Sequence, residues 1–402
     1  MNRLDQNRSI VTLAMIMAAS LVGLITGYTV PLISLNLAQH QVGTLYVGLL
    51  AALPPVGMML SSFLSPVLCR HFEVRSLIAA SLVLLALATV ASCMTDSPLL
   101  LILPRLFTGL SSGVIVVLGE SWITGSASNR HSAMLTGIYT SAFTGCQLTG
   151  PLILSAGDEY QPWALLGIIG ITFACLFMLR GLPPNSRNSL AERESWKSLI
   201  PFLPVLASGV FCFAFFDASV LALFPLYGID KGLSESLAVL LITIILAGDA
   251  LLQAPLGWLA DRRGIRLVHI GCATIFCFML LLLPFFIDSY FLLVANCFVL
   301  GASAGGMYTL SLVRAGKIFA GQKLIMINAF LGFFWSAGSV VGPVINGFII
   351  SMTNYDSLIV SLLVIGIFFL VIQLISNDKS VVKNILINNE NLSQKIFNDK
   401  EI

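Results

Sequence analysis

Gly257-Trp258-Leu259-Ala260-Asp261-Arg262-Arg263-Gly264-Ile265-Arg266 is a short charged passage between two long apolar runs. The chain carries a worn copy of it 192 residues earlier, from Ser65 to Val74, with Arg70 standing where Arg262 stands. The same displacement carries Gly109, Gly113, Gly150 and Pro151 onto Gly301, Gly305, Gly342 and Pro343. In a chain of 402 residues that spacing describes an internal duplication, two like halves joined end to end.

Composition says what surrounds those halves. Hydrophobic residues make up 57% of the chain, charged residues only 10%, and mean hydropathy is +0.95. A bilayer-spanning helix needs about 20 mainly apolar residues. Twelve such stretches can be read, beginning near Val11, Leu45, Ser76, Leu99, Ala133, Trp163, Leu199, Ser236, Leu267, Phe291, Leu324 and Ser357. The expected fold class is an all-α membrane protein, twelve transmembrane helices arranged as two parallel six-helix repeats, an architecture known among secondary transporters. The expected divisions are an N-terminal bundle over 1–180, a central cytoplasmic loop over 181–197, a C-terminal bundle over 198–376 and a cytoplasmic tail over 377–402. The first stretch is long and interrupted by Gly23, Gly27 and Pro31, which predicts a permanent span and not a cleaved signal peptide.

Lys and Arg concentrate in cytoplasmic loops of membrane proteins. With the amino terminus inside, all of the 21 except Lys231 and Arg105 fall on the cytoplasmic side, among them Arg262 to Arg266 and Arg314 to Lys323. The opposite loops hold Asp96, Asp158, Glu159, Asp230, Glu235, Asp288 and Asp356. The net charge of +2 therefore reports topology and gives no reason to expect nucleic acid binding. The eight cysteines lie in spans or at their cytoplasmic edges without metal-type spacing, so neither disulfides nor a metal site is expected. No phosphate-cradling loop, dinucleotide fingerprint or nucleophile elbow is present, and no cofactor, ATP-driven step or enzyme activity is expected.

The chemically informative residues are the charges inside spans: Arg105 and Glu120 in the fourth, Asp217 in the seventh and Asp249 in the eighth. Each costs about 2.5 to 3.5 kcal/mol at mid-membrane on insertion scales, so each is expected to face protein or water. Asp217 follows Phe211, Phe213, Phe215 and Phe216, and apolar surroundings favour the neutral form of an acid. A carboxyl that takes and releases a proton is what proton coupling requires. The plainer use of either acid is as a static partner for a hydroxyl, amide or arginine. Glu120 reads equally as a gate residue or as a side chain snorkelling to the surface. The glycines at 109, 113, 301 and 305 read first as close helix contacts, because small residues let backbones approach in lipid. Pro151 and Pro343 are expected to loosen their spans.

Taken over essentially its whole length, the chain resembles the major facilitator superfamily. Gly257 to Arg266 resembles that superfamily's cytoplasmic loop signature; Gly137, Cys146, Gly150 and Pro151 resemble its antiporter-associated motif; and Arg105, Gly109 and Gly113 resemble its RxxxGxxxG motif linked to proton coupling. The first copy of the loop departs from the signature, with Ser65, Cys69 and Phe72 in place of Gly, Asp and Gly. The resemblance implies a monomeric, multi-pass transporter of the bacterial inner membrane with both termini cytoplasmic. Its partners would be a small-molecule substrate, protons and the lipid bilayer.

The resemblance also implies proton coupling through Arg105, alongside the two span acids Asp217 and Asp249 read above as proton carriers. The first, fourth, seventh and tenth spans would line a cavity bringing in Tyr28, Asn36, Arg105, Asp217, Tyr308 and Thr309. Gating falls to Asp261 and Arg262 as a charge latch, with Arg70, Glu120, Gly150, Pro151, Gly342 and Pro343. Tyr28, Trp122 and Tyr227 read also as interfacial anchors, and Asn328, Trp335, Gln147 and Gln253 are weaker cavity candidates. The fifth-span motif leans towards efflux. Arg105 with protonatable acids would equally serve symport of an organic anion or a metal chelate such as a siderophore, and a non-transporting membrane sensor is the reading from another class.

Overall fold

Each apolar run becomes one helix. The computed structural model describes residues 3–95, 97–126, 132–157, 161–181, 203–319 and 321–376. The first half holds α1 (Arg3–Gln39), α2 (Thr44–His71), α3 (Val74–Cys93), α4 (Pro98–Ser126), α5 (Ser132–Ala156) and α6 (Gln161–Met178). The second holds α7 (Leu203–Asp230), α8 (Glu235–Arg263), α9 (Ile265–Leu282), α10 (Tyr290–Ile318), α11 (Gly321–Met352) and α12 (Asp356–Ile375). No strand occurs among the described residues. Apart from α1, which begins ahead of Val11, the helices start within a few residues of the expected positions. The protein is an integral membrane protein of the multi-pass kind. The central loop over 181–197, beyond Gly181, and the tail over 377–402 lie outside the described residues.

Among the described residues, eleven helices are long and apolar enough to cross a membrane, and their outer faces present residues such as Phe63, Leu87, Phe173 and Val364 to the surroundings. The twelfth, α5, is more polar over its described part, with Thr140, Ser141, Thr144, Gln147 and Thr149 within three turns. It can carry them because it packs on α1 and α8.

Within each half the same two pairings recur: α1 on α5 and α2 on α4, then α7 on α11 and α8 on α10. Glycines set these seams. A Cβ on Gly109 would run into the Pro54 carbonyl of α2, and one on Gly301 into the Ile245 carbonyl of α8. Gly150 meets Gly27 and Tyr28 of α1, as Gly342 meets Phe215 and Ser219 of α7. The α helices run on through Pro151 and Pro343.

The two copies of the charged loop turn differently. Gly264 joins α8 to α9 at φ +90, a conformation glycine adopts without steric cost. Its counterpart Phe72 sits at φ −121, extended backbone that needs no glycine, which accounts for the departure from the signature there.

The halves meet through α2 against α11, α5 against α8, and α1 against α7. Thr44 donates to the Gly347 carbonyl at 3.1 Å, Thr243 to the Leu148 carbonyl at 3.5 Å, and the Ser236 hydroxyl to the Ser155 carbonyl. Gly48 lies against Pro343 and Gly347. Thr44, Ser155, Ser236 and Gly347 stand towards the end of the bundle where the acidic loops emerge, so the halves are closed together there. At that end Lys231 bridges Asp356 at 2.6 Å and Asp230 at 3.6 Å, and its bond to Asp356 holds the ammonium above the usual lysine range.

Polar side chains inside the second half are bonded to one another. Asn346 of α11 donates to the Ser219 hydroxyl of α7 at 2.9 Å and accepts from Ser361 of α12. Replacing Asn346 with alanine is expected to cost about 1 kcal/mol, the scale of interhelical hydrogen bonds in membranes. A thermal unfolding midpoint equal to that of the parent would show that this bonding adds nothing. Arg314, expected in a cytoplasmic loop, is instead inside α10 and only 7% exposed, because Gln373 of α12 accepts from its guanidinium at 3.3 Å. Arg266 donates to the carbonyls of Gln373 and Leu374, capping the end of α12.

Candidate functional site

Between the halves lies a narrow cleft. The first half contributes Thr26 and Thr29 from α1, Pro54 and Met58 from α2, Arg105 and Ser112 from α4, and Phe143 from α5. The second half contributes Asp217 and Leu221 from α7 with Trp335 and Ser339 from α11. Two of the intramembrane charges expected from the sequence, Arg105 and Asp217, therefore wall one space from opposite halves.

Arg105 is 2% exposed. Its Nε donates to the Leu50 carbonyl at 3.3 Å and Nη1 to the Thr29 hydroxyl at 3.1 Å, which fixes the guanidinium between α1, α2 and α4. Both partners are neutral, and among the described residues Arg105 forms no ion pair. Asp217 is 8% exposed and accepts from the Gln147 amide at 3.5 Å, a bond that crosses from α5 to α7 and so from one half to the other. Gln147 is held in place because Gly27 lets α1 lie directly on its backbone.

Asp249, the other acid expected to couple protons, is 4% exposed and does not wall this cleft. Its carboxylate lies against Gly305 of α10 and accepts from Gln253, one turn along α8, at 2.9 Å. The repeat makes its position plain: Asp249 occupies the place that Gly57 holds in the first half, in the same helix seam. Arg105 has the buried Cys297 as its counterpart, and Asp217 has Ile25.

The remaining expected cavity residues stand elsewhere. Tyr28 is buried in the core of the first half beside Gly150, and Asn36 is near the far end of α1, where its carbonyl accepts from His40. Tyr308 stacks on Phe213 with ring centroids 5.1 Å apart, and its neighbour Thr309 is half-buried on the same helix. No described wall residue comes from α10; α2, α5 and α11 take its share. Trp335 and Gln147, the weaker candidates, are at the cleft and at its acid. Asn328 is exposed, and Gln253 serves Asp249. Tyr28 and Tyr227 are interior residues and not interfacial anchors, since their helices lie in the middle of the bundle.

Of the expected gating residues, Gly150 and Gly342 set seams within each half, whereas the Pro343 carbonyl lies against Gly48 at the seam between halves. The Arg262 guanidinium rests over the Trp258 ring of its own helix, 4.1 Å from the centroid. The side chains of Arg70, Glu120 and Asp261 lie outside the described residues.

Comparison with known proteins places these features in a family. The profile of the Major Facilitator Superfamily matches residues 15–247 and again 206–390. The MFS-type transporter YfkF of Bacillus subtilis (strain 168) is 24% identical over 83% of this chain and 87% of its own length. YcaD, an MFS-type transporter of Escherichia coli O45:K1 (strain S88 / ExPEC), is 23% identical over 66% of this chain and 69% of its own. Among solved structures, the nucleoside transporter NupG superposes with TM-score 0.71 at 13% identity, covering 90% of this chain and 99% of NupG. A bacterial homolog of the human lysosomal transporter Spinster, in an inward-facing and unoccupied conformation, gives TM-score 0.71 at 15% identity, over 91% and 95%.

Proposed function

The chain belongs to the major facilitator superfamily, a transporter and not an enzyme, and on that premise we propose that it is a proton-coupled secondary transporter carrying a small organic solute by alternating access. One observation carries the reading: a fixed cation and an acid, Arg105 and Asp217, wall the same cleft from opposite halves. A carboxyl there can exchange a proton with solute or solvent as the halves rock, and a guanidinium there can orient the solute.

In the proposed cycle the closed acidic end is the extracellular end. The basic loops, which mark the cytoplasm, support that assignment, and on it the state described is one closed to the outside. The Gln147–Asp217 bond is made while the halves are closed at the acidic end; proton binding to Asp217 loosens it and favours the opposite state. At the basic end Asp261 and Arg262, together with Arg70 and Glu120, would re-form a latch when the cytoplasmic side closes. Gly150, Pro151, Gly342 and Pro343 are the places where α5 and α11 slide on their neighbours. Asp249 acts as a second coupling acid behind the cleft. Tyr28, Asn36, Tyr308 and Thr309 would reach the solute in another state of the cycle. The chain works as a monomer in a bacterial inner membrane, both termini cytoplasmic.

The test is proton movement in proteoliposomes holding an internal pH dye, challenged with organic anions, sugars, metal chelates and cationic drugs. A solute-dependent pH change that disappears in Asp217→Asn is the expected result, and its sign separates symport from antiport. A change of equal size in Asp217→Asn would remove the acid from the coupling mechanism, and silence across the panel would favour a sensor.

A further inference from the structure

Resting on that reading, we propose that the cleft takes a small organic monoanion, a carboxylate on an apolar body seated against Arg105, together with a proton on Asp217, and so carries anion and proton in the same direction. The argument begins with what Arg105 lacks. A guanidinium has five N–H donors in a planar fork. Here two are committed, both to neutral oxygens, and among the described residues no carboxylate comes within ion-pair distance of the buried charge. Buried charge is retained where something compensates it. The fork matches a carboxylate through two parallel hydrogen bonds.

The rest of the wall says what the carboxylate is attached to. Phe143, Trp335, Met58 and Leu221 present rings and aliphatic surface, with the Ser112 and Ser339 hydroxyls between them. A cation would have to enter beside Arg105, and a neutral polar solute would leave that charge uncompensated.

Asp217 then sets the stoichiometry. An anion in the same cleft as an ionised Asp217 is repelled, whereas the protonated acid accepts it, so each favours the other's binding. Among the described residues the ionisable groups around Asp217 are few. Arg105 of α4 shares its cleft, Asp249 lies behind it on α8 against Gly305, and Tyr308 of α10 stacks on Phe213 one turn away. Tyr28 of α1 is turned into the first half's core, and α5 contributes the Gln147 amide. The described parts of α2, α11 and α12 contribute no charged group to the cleft.

The experiment uses the full-length purified protein and three probes of one shape: 3-phenylpropanoate, its amide and the corresponding amine. Only the acid is expected to raise the thermal unfolding midpoint. Its affinity is expected to fall as rising pH ionises Asp217, by up to about tenfold per unit, and to be flat in Asp217→Asn. Arg105→Gln is expected to lose at least tenfold in affinity for the acid. If that variant does not fold, Arg105→Lys, which keeps the charge without the fork, is expected to bind it more weakly than the parent. An equal response to acid and amide, a larger response to the amine, or an acid affinity independent of pH in the parent protein overturns the proposal. In proteoliposomes, proton flux driven by amines and by no carboxylate would overturn the anion assignment and leave the transport reading standing. Absence of flux with every solute would overturn the transport reading itself, whatever the probes bind.

Discussion

Oxidising the double variant Ser155→Cys/Ser236→Cys is expected to stop solute turnover, by at least about tenfold, and a reductant to restore it. These two residues belong to α5 and α8, one from each half, and the Ser236 hydroxyl already touches the Ser155 carbonyl. Sulfur for oxygen at both places keeps the backbone within the reach of a disulfide or a short thiol cross-linker. Ser236 is exposed and Ser155 partly so, which lets an oxidant reach them. A bond there holds the acidic end shut, and alternating access requires that end to open once in every cycle. Each single variant, oxidised alongside, controls for the eight native cysteines. Undiminished turnover by demonstrably cross-linked protein would mean that this end does not gate the path.

The second large effect is a contrast between two identical substitutions. Gly301→Leu is expected to prevent accumulation of folded protein, at a cost above about 3 kcal/mol, because the new side chain would have to displace the Ile245 backbone along the α8–α10 seam. Gly170→Leu is expected to stay within about 0.5 kcal/mol of the parent, since a Cβ there meets nothing within 4 Å on the exposed face of α6. Detergent-solubilised yield and unfolding midpoint would check both. A well-folded Gly301→Leu protein would show that the seam relaxes more readily than its backbone contacts suggest.

Much of the fold can be read without coordinates because lipid leaves few choices: an apolar run of sufficient length must satisfy its own backbone, and a helix does so. The starts of α2, α4 and α12 fall one residue from where hydropathy puts them. Arg314 escapes such reading, since its position near the end of a run looks like a loop charge until Gln373 is seen to receive it.

For the site, charge inside a span is a strong signal, and it leads to Arg105 and Asp217. It cannot separate Asp217 from Asp249, whose different surroundings depend on Gly305, far along the chain. Hydroxyls are harder still. Thr26 and Thr108 both wall the cleft, yet each also bonds the carbonyl four residues back in its own helix, at 2.9 and 2.8 Å, as serines and threonines do in spans of every kind. The tyrosines mislead for a related reason: an amphipathic ring suits an interface, and nothing local reveals that α1 and α7 are the innermost helices of their halves.

The counterparts of the charged residues have a consequence for how such a chain came to work. Two identical half-length subunits assembled around a two-fold axis would place every cleft residue twice, so that one arginine would bring two and one acid would bring two. Fusion into a single polypeptide removes that obligation. Cys297 could stand opposite Arg105, Ile25 opposite Asp217 and Gly57 opposite Asp249, leaving a cleft whose described wall has one cation on one side and one acid on the other while the shared scaffold stayed in register. A single binding orientation, and a single titrating group at its wall, are open to a fused pair and closed to a symmetric one.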